Sequence, residues 1–117
     1  MKNDNVIEVK SKAFAVRIVK LARYLQEQKK EYVISKQLLR SGTSIGANVK
    51  EAIRGQSKAD FTAKMNIALK ESSETEYWLE ILHETDYLSD NEFDGIYADS
   101  KEIIRILMSI VKTSRQD

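Results

Sequence analysis

Residues 40–52 read RSGTSIGANVKEA and hold two of the chain's four glycines, Gly42 and Gly46, among Ser41, Thr43 and Ser44. Three structures compete for such a run: a phosphate-cradling loop, a flexible linker, or a helix built from small residues. A phosphate loop needs Gly-x-x-x-x-Gly-Lys-Ser/Thr between a strand and a helix. Here Ala47 and Asn48 follow Gly46, and no strand-like alternation precedes it. Leu38, Ile45, Val49 and Ile53 instead continue one helical face straight through the run, with Gly42 on that face. The stretch therefore reads as helix. Each glycine costs about 1 kcal/mol against alanine in a helix interior. Gly42-x-x-x-Gly46 must recover that cost by letting a neighbouring helix approach closely.

Working outward from this helix, the periodicity predicts three more. Phe14, Ile18, Leu21 and Leu25 form one face over residues 9–29, widened by Ala15, Val19 and Ala22. In the connection KKEYVIS, Tyr32, Val33 and Ile34 are expected to plug the bundle end, and Ser35 to cap the second helix. Gly55 is expected to close that helix in the left-handed conformation. Ser57 then caps a third helix of nearly thirty residues, with Asp60 in its first turn. Phe61, Met65, Ala68, Ser72, Thr75, Leu79 and Leu82 make its main seam, while Ile67, Trp78, Ile81 and Leu88 lie on a neighbouring face. A four-helix unit needs one seam per helix, so the second face points to a subunit contact. SDNE at 89–92 is a capping box. It opens a fourth helix carrying Phe93, Ile96, Tyr97, Ile103, Ile104, Leu107, Ile110 and Val111, which fades into KTSRQD. Short connections between long helices imply an all-α, antiparallel up-down-up-down four-helix bundle, with residues 1–117 as a single domain.

Composition agrees. The chain has no proline to break a helix, and no cysteine for a disulfide or thiolate metal site. No apolar run approaches the roughly 20 residues of a membrane span. The polar MKNDNVIEVK opening lacks a signal-peptide core, so a cytoplasmic location is expected.

The net charge of +1 conceals an asymmetry. Residues 1–56 carry 12 Lys/Arg against 5 Asp/Glu, and residues 57–117 carry 7 against 13. Either the basic helices present a face to an anionic partner, or the acidic helices beside them neutralise it. Lys12, Arg17, Lys20 and Arg23 lie largely off the apolar stripe of the first helix. They are the candidate nucleic-acid contacts.

Catalytic and metal chemistry find little support. Glu80 and His83 form one Glu-x-x-His, half of a di-iron carboxylate signature, but the chain has a single histidine. No nucleophile sits in a recognisable elbow. Glu71, Glu74, Ser72 and Thr75 occupy adjoining positions on the third helix, ahead of Tyr77 and Trp78. Carboxylates beside an apolar seam need partners, and Arg40 and Asn48 of the second helix are the natural ones.

Two blocks, SKQLLRSGTSIGANVKEA and DFTAKMNIALKESSETEYWLEIL, resemble the four-helix-bundle family of 23S rRNA intervening-sequence proteins. KAFAVRIVKLARYL and the last helix resemble it more loosely. The resemblance implies a small antiparallel bundle assembling as a homopentamer, without enzymatic activity. Some family members are encoded inside insertions in the large ribosomal RNA gene. A related branch, the accessory protein of diversity-generating retroelements, is a basic pentameric barrel that binds nucleic acid and a reverse transcriptase. The family pattern falls here on Arg40, Ser41, Gly42, Ser44, Ile45, Asn48, Glu51 and Ala52, and on Lys70, Glu71, Glu74, Thr75, Trp78 and Leu79. The expected partners are other copies of the chain and RNA or DNA. No cofactor, metal, membrane or small-molecule substrate is expected. The alternative is a structural or protein-interaction module.

Overall fold

Four α-helices make up the computed structural model, which describes residues 2–116: α1 (Lys2–Gln28), α2 (Ile34–Ile53), α3 (Lys58–Glu84) and α4 (Asp90–Gln116). Met1 and Asp117, the last residue of the KTSRQD tail, lie outside the described residues. At 1.5 Å per residue a 27-residue helix spans about 40 Å. That length sets the long dimension of a rod measuring 46 × 20 × 18 Å. Among the described residues there is no strand, and no helix is long and apolar enough to cross a membrane.

Each helix packs on its two chain neighbours, with α4 closing against α1 and no diagonal pair of the described residues in close backbone contact. The residue pairs across each seam give the directions. Ser11 and Ile18 of α1 lie against Gly46 and Gly42 of α2. Lys10, Arg17 and Tyr24 of α1 meet Glu102, Asp99 and Glu92 of α4 in descending order. Arg40 and Glu51 of α2 meet Glu71 and Lys64 of α3. Glu76, Glu80 and His83 meet Lys101, Tyr97 and Asp90. All neighbours are therefore antiparallel, as the short connections imply.

The core stripes coincide with the periodicity. Phe14, Ile18, Leu25, Leu38, Ile45, Val49, Met65, Leu79, Leu82, Ile103 and Leu107 are fully or almost fully buried. α1 begins earlier than residue 9, because Ile7, one heptad before Phe14, is also buried and carries the stripe back through the polar opening. Gly42 and Gly46 lie inside α2, where α1 crosses them. A Cβ on Gly42 would fall 2.8 Å from both Cγ atoms of Ile18, and one on Gly46 would fall 3.3 Å from the Ser11 carbonyl oxygen. The close approach expected of this surface is made by α1.

Gly95 lies on the exposed side of α4, and a Cβ there would meet only the flexible Arg17 guanidinium, at 3.4 Å. Gly95→Ala should therefore recover most of the helix-propensity difference, about 1 kcal/mol. The melting temperature is expected to rise by about 3–6 °C in a calorimetric scan.

The turns depart from expectation in three places. Ser35 does not cap α2. It is buried in the first turn, where its hydroxyl donates to the Glu31 carbonyl (2.9 Å) and accepts from Gln26 Nε2 (3.1 Å). The cap is the Glu31 carboxylate, which accepts from the N–H groups of Val33 (3.1 Å), Ile34 (2.9 Å) and Ser35 (2.6 Å). Lys30, at φ 55°, turns the chain so that Glu31 can reach forward. Tyr32 and Val33 do not plug the bundle end; they are 50% and 74% exposed, and the buried turn residue is Glu31. Gly55 is not left-handed either. α2 closes through Arg54 N–H to Lys50 O and Gly55 N–H to Ala52 O, a tightened last turn that needs no positive φ. The other two caps form as expected. Ser57 Oγ accepts from Asp60 N–H (3.0 Å). Ser89 and Glu92 close a reciprocal box at 2.8 and 3.3 Å.

Candidate nucleic-acid interface

Folding rearranges the charge more sharply than the division of the chain into halves suggests. Eleven of the thirteen Asp/Glu in residues 57–117 fall within 71–102, opposed there by Lys101 alone. The α3–α4 hairpin gathers them at one end of the rod. The remainder of the chain then carries 18 Lys/Arg against 7 Asp/Glu.

Lys12, Lys20 and Arg23 are exposed on the outer side of α1 and have no ion-pair partner among the described residues. Arg17 leaves this group: it is ion-paired with Asp99 of α4. Its position explains why. Lys10, Arg17 and Tyr24 recur every seven residues along the edge of α1 that faces α4, and each reaches a carboxylate there. The acidic helices thus neutralise that edge of α1 and leave its outer side free.

The sequence reading missed the neighbouring contribution from α2. Lys36, Lys50 and Arg54 are exposed opposite the buried Leu38, Ile45, Val49 and Ala52. With Arg40, Thr43 and Ala47 they recur every three or four residues, so the stripe was visible in the spacing. Arg40 is again drawn aside. Its guanidinium bonds Glu71 at 2.9 Å and also Glu74. The outward sides of α1 and α2 together carry these bases, on the side of the bundle opposite the acidic hairpin.

The α2–α3 seam carries the polar network. Trp78 Nε1–H donates to Glu74 Oε2 (3.0 Å), and the Trp78 and Arg40 bonds hold the Glu74 carboxyl below the usual carboxylate range. The same bond to Glu74 raises Arg40 further above its already high value. Thr75 donates to Ser41 Oγ at 2.9 Å in the buried centre of the seam. Glu51 pairs with Lys64 at 3.0 Å. Asn48 does not join the carboxylates as expected. Its amide is satisfied one turn back, on Ser44 O (2.9 Å), which the i, i−4 spacing allows at no cost in reach. The network is a set of short bonds that fixes the register of two helices.

Glu80 and His83 do not converge as metal ligands. Glu80 accepts from the Tyr97 hydroxyl, while His83 pairs with Asp90 (2.7 Å) and stacks on Phe93 at 4.0 Å. On the second face of α3, Trp78 and Ile81 are half-buried and Ile67 is exposed, with the exposed Tyr77 beside them; Leu88 does not belong to it, lying past the end of α3 and buried in the core. A further apolar set, absent from the sequence reading as an exposed feature, lies on α1: Val9 is 70% exposed and Val16 48%.

A solved structure shares this fold. Residues 3–109 match the family model described as 23S rRNA-intervening sequence protein. A 1.70 Å crystal structure from Bacteroides thetaiotaomicron VPI-5482, described as a protein with unknown function from the S23 ribosomal protein family, is similar at 56% identity. The match covers 94% of this chain and 98% of that chain, with a TM-score of 0.92. Comparison with curated proteins gives no significant match.

Proposed function

The chain belongs to the 23S rRNA-intervening sequence protein family, and on that premise we propose that it is a non-enzymatic, self-associating bundle that contacts RNA through its phosphates. The observation that supports this reading best is the set Lys12, Lys20 and Arg23 on the outer side of α1, without an ion-pair partner among the described residues, with the acids gathered elsewhere. Phosphate contacts give affinity without base readout and release counterions, so binding should be weakly sequence-specific and steeply salt-dependent. Self-association is supported by the exposed Ile67 and Tyr77 of α3; the number five comes from the family resemblance.

The test is RNA affinity over a salt series. Lys12→Gln, Lys20→Gln and Arg23→Gln combined should weaken binding at least tenfold and lower the salt slope by about 3. Arg17→Gln should change both far less, because Arg17 is occupied by Asp99. Affinity unchanged by raising salt from about 50 to 200 mM would contradict a phosphate mechanism. A second reading, a protein-interaction module, is favoured by Val9 and Val16, which phosphate binding does not require. No RNA binding at low salt would select it.

A further inference from the structure

The basic surface is not continuous. Arg17 and Arg40, the two cations nearest its middle, are both turned aside to carboxylates on α4 and α3. What remains on the outward sides of α1 and α2 at mid-length is neutral: Ala13, Val16 and Val19 on α1, and Thr43 and Ala47 on α2. The free bases fall into two groups at either side of that zone. The antiparallel register, with Ile18 against Gly42 and Ser11 against Gly46, sets Lys20 and Arg23 level with Lys36, and Lys12 about one turn short of Lys50; Arg54 extends the second group. At 1.5 Å per residue the groups stand about 12 Å apart along α1, from Lys12 to Lys20, and about 21 Å apart along α2, from Lys36 to Lys50.

We propose that this bipartite surface takes duplex RNA, one basic group on each of the two strands that bound the minor groove. This rests on the RNA reading above and goes further by naming the form of the ligand. An extended single strand lying along the rod would place successive phosphates over the neutral middle, where no cation meets them. A duplex presents its two backbones separately, with a wide, shallow minor groove between them that displays 2′-hydroxyls. The small side chain of the exposed Ala47 leaves room for that surface to approach. Thr43 donates its hydroxyl hydrogen to the Leu39 carbonyl (2.7 Å), so its oxygen is left as an acceptor for a 2′-hydroxyl.

The experiment compares a short RNA duplex, a single strand of equal length and the matching DNA duplex by fluorescence anisotropy over a salt series, using the full chain. The duplex RNA is expected to bind at least tenfold tighter than the single strand and tighter than the DNA duplex. Two triple variants, Lys20→Gln/Arg23→Gln/Lys36→Gln and Lys12→Gln/Lys50→Gln/Arg54→Gln, should each lower duplex affinity and each reduce the salt slope by about 3. All six positions are exposed, and circular dichroism checks that helix content is kept. Equal affinity for single strand and duplex, or loss confined to one triple variant, overturns the bipartite duplex site while leaving RNA binding standing. No binding of any RNA overturns both readings.

Discussion

Replacing Gly42 with leucine is expected to cost about 3 kcal/mol or more of folding stability, and with alanine about 1 kcal/mol. In an unobstructed helix, Gly→Ala would instead stabilise by about 1 kcal/mol. The sign reverses because the added Cβ lands 2.8 Å from Ile18 Cγ1 and Cγ2 and 3.2 Å from Ile18 Cβ. These are the branch atoms of a buried β-branched side chain, stiff about χ1, so they cannot swing clear. Either Ile18 leaves its rotamer or α1 moves off α2. Urea denaturation of Gly42→Ala measures the effect, and the background identifies the cause. Ile18→Val keeps both clashing carbons and should give no relief. Ile18→Ala removes both, so in that background Gly42→Ala should become neutral or stabilising. A stabilising Gly42→Ala in the otherwise unchanged chain would mean that α1 does not press on this surface.

The second large effect is expected at Glu31. Its carboxylate is buried and accepts three successive backbone N–H groups at the start of α2. Glu31→Ala leaves those donors without a partner in a site that water reaches poorly, at a cost of about 2 kcal/mol. The effect should depend on pH. Burial alone would raise the Glu31 pKa, but the bonds from Ile34, Ser35 and Val33 outweigh it and hold the group below the usual carboxylate range. A folded-state pKa below the unfolded one stabilises the fold at pH above the unfolded value, about 4.3. That stability is lost as pH falls through the lower folded value. The difference between wild type and Glu31→Gln, taken from urea midpoints, should therefore be full at pH 7 and much reduced at pH 3. A difference that does not change with pH would mean that the carboxylate is not ionised in the folded chain.

The helices and their seams were legible because burial repeats at 3.6 residues and nothing interrupts it. Gly42 and Gly46 could be placed for the same reason: the apolar face ran through them. Ser57 and the Ser89–Glu92 box were legible because their bonds span three residues of local chain. Glu31 was not, since its capping depends on the left-handed turn at Lys30, which no residue preference announces. Asn48 was assigned to the wrong partners because its helix offered a nearer one.

The candidate surface was legible in outline only. Sign and exposure could be read from position on α1, but pairing could not. Lys20 and Arg17 look alike in the sequence, and only the contact with Asp99 separates them. The α2 contribution was missed because Lys36, Lys50 and Arg54 stood beside the glycines, whose packing accounted for the same helix. The concentration of acids within residues 71–102 matters only once the chain folds back at the α3–α4 turn.

Whether RNA lies on the α1–α2 side is decided by an NMR titration of backbone and lysine signals with an RNA duplex. Binding on the α1–α2 side should concentrate the shifts at Lys12, Lys20, Arg23, Lys36, Lys50 and Arg54 and their exposed neighbours, with the tip of the α3–α4 hairpin around Glu84, Asp86 and Asp94 unmoved. Shifts centred on α3 and α4, with the α1–α2 side silent, would contradict it.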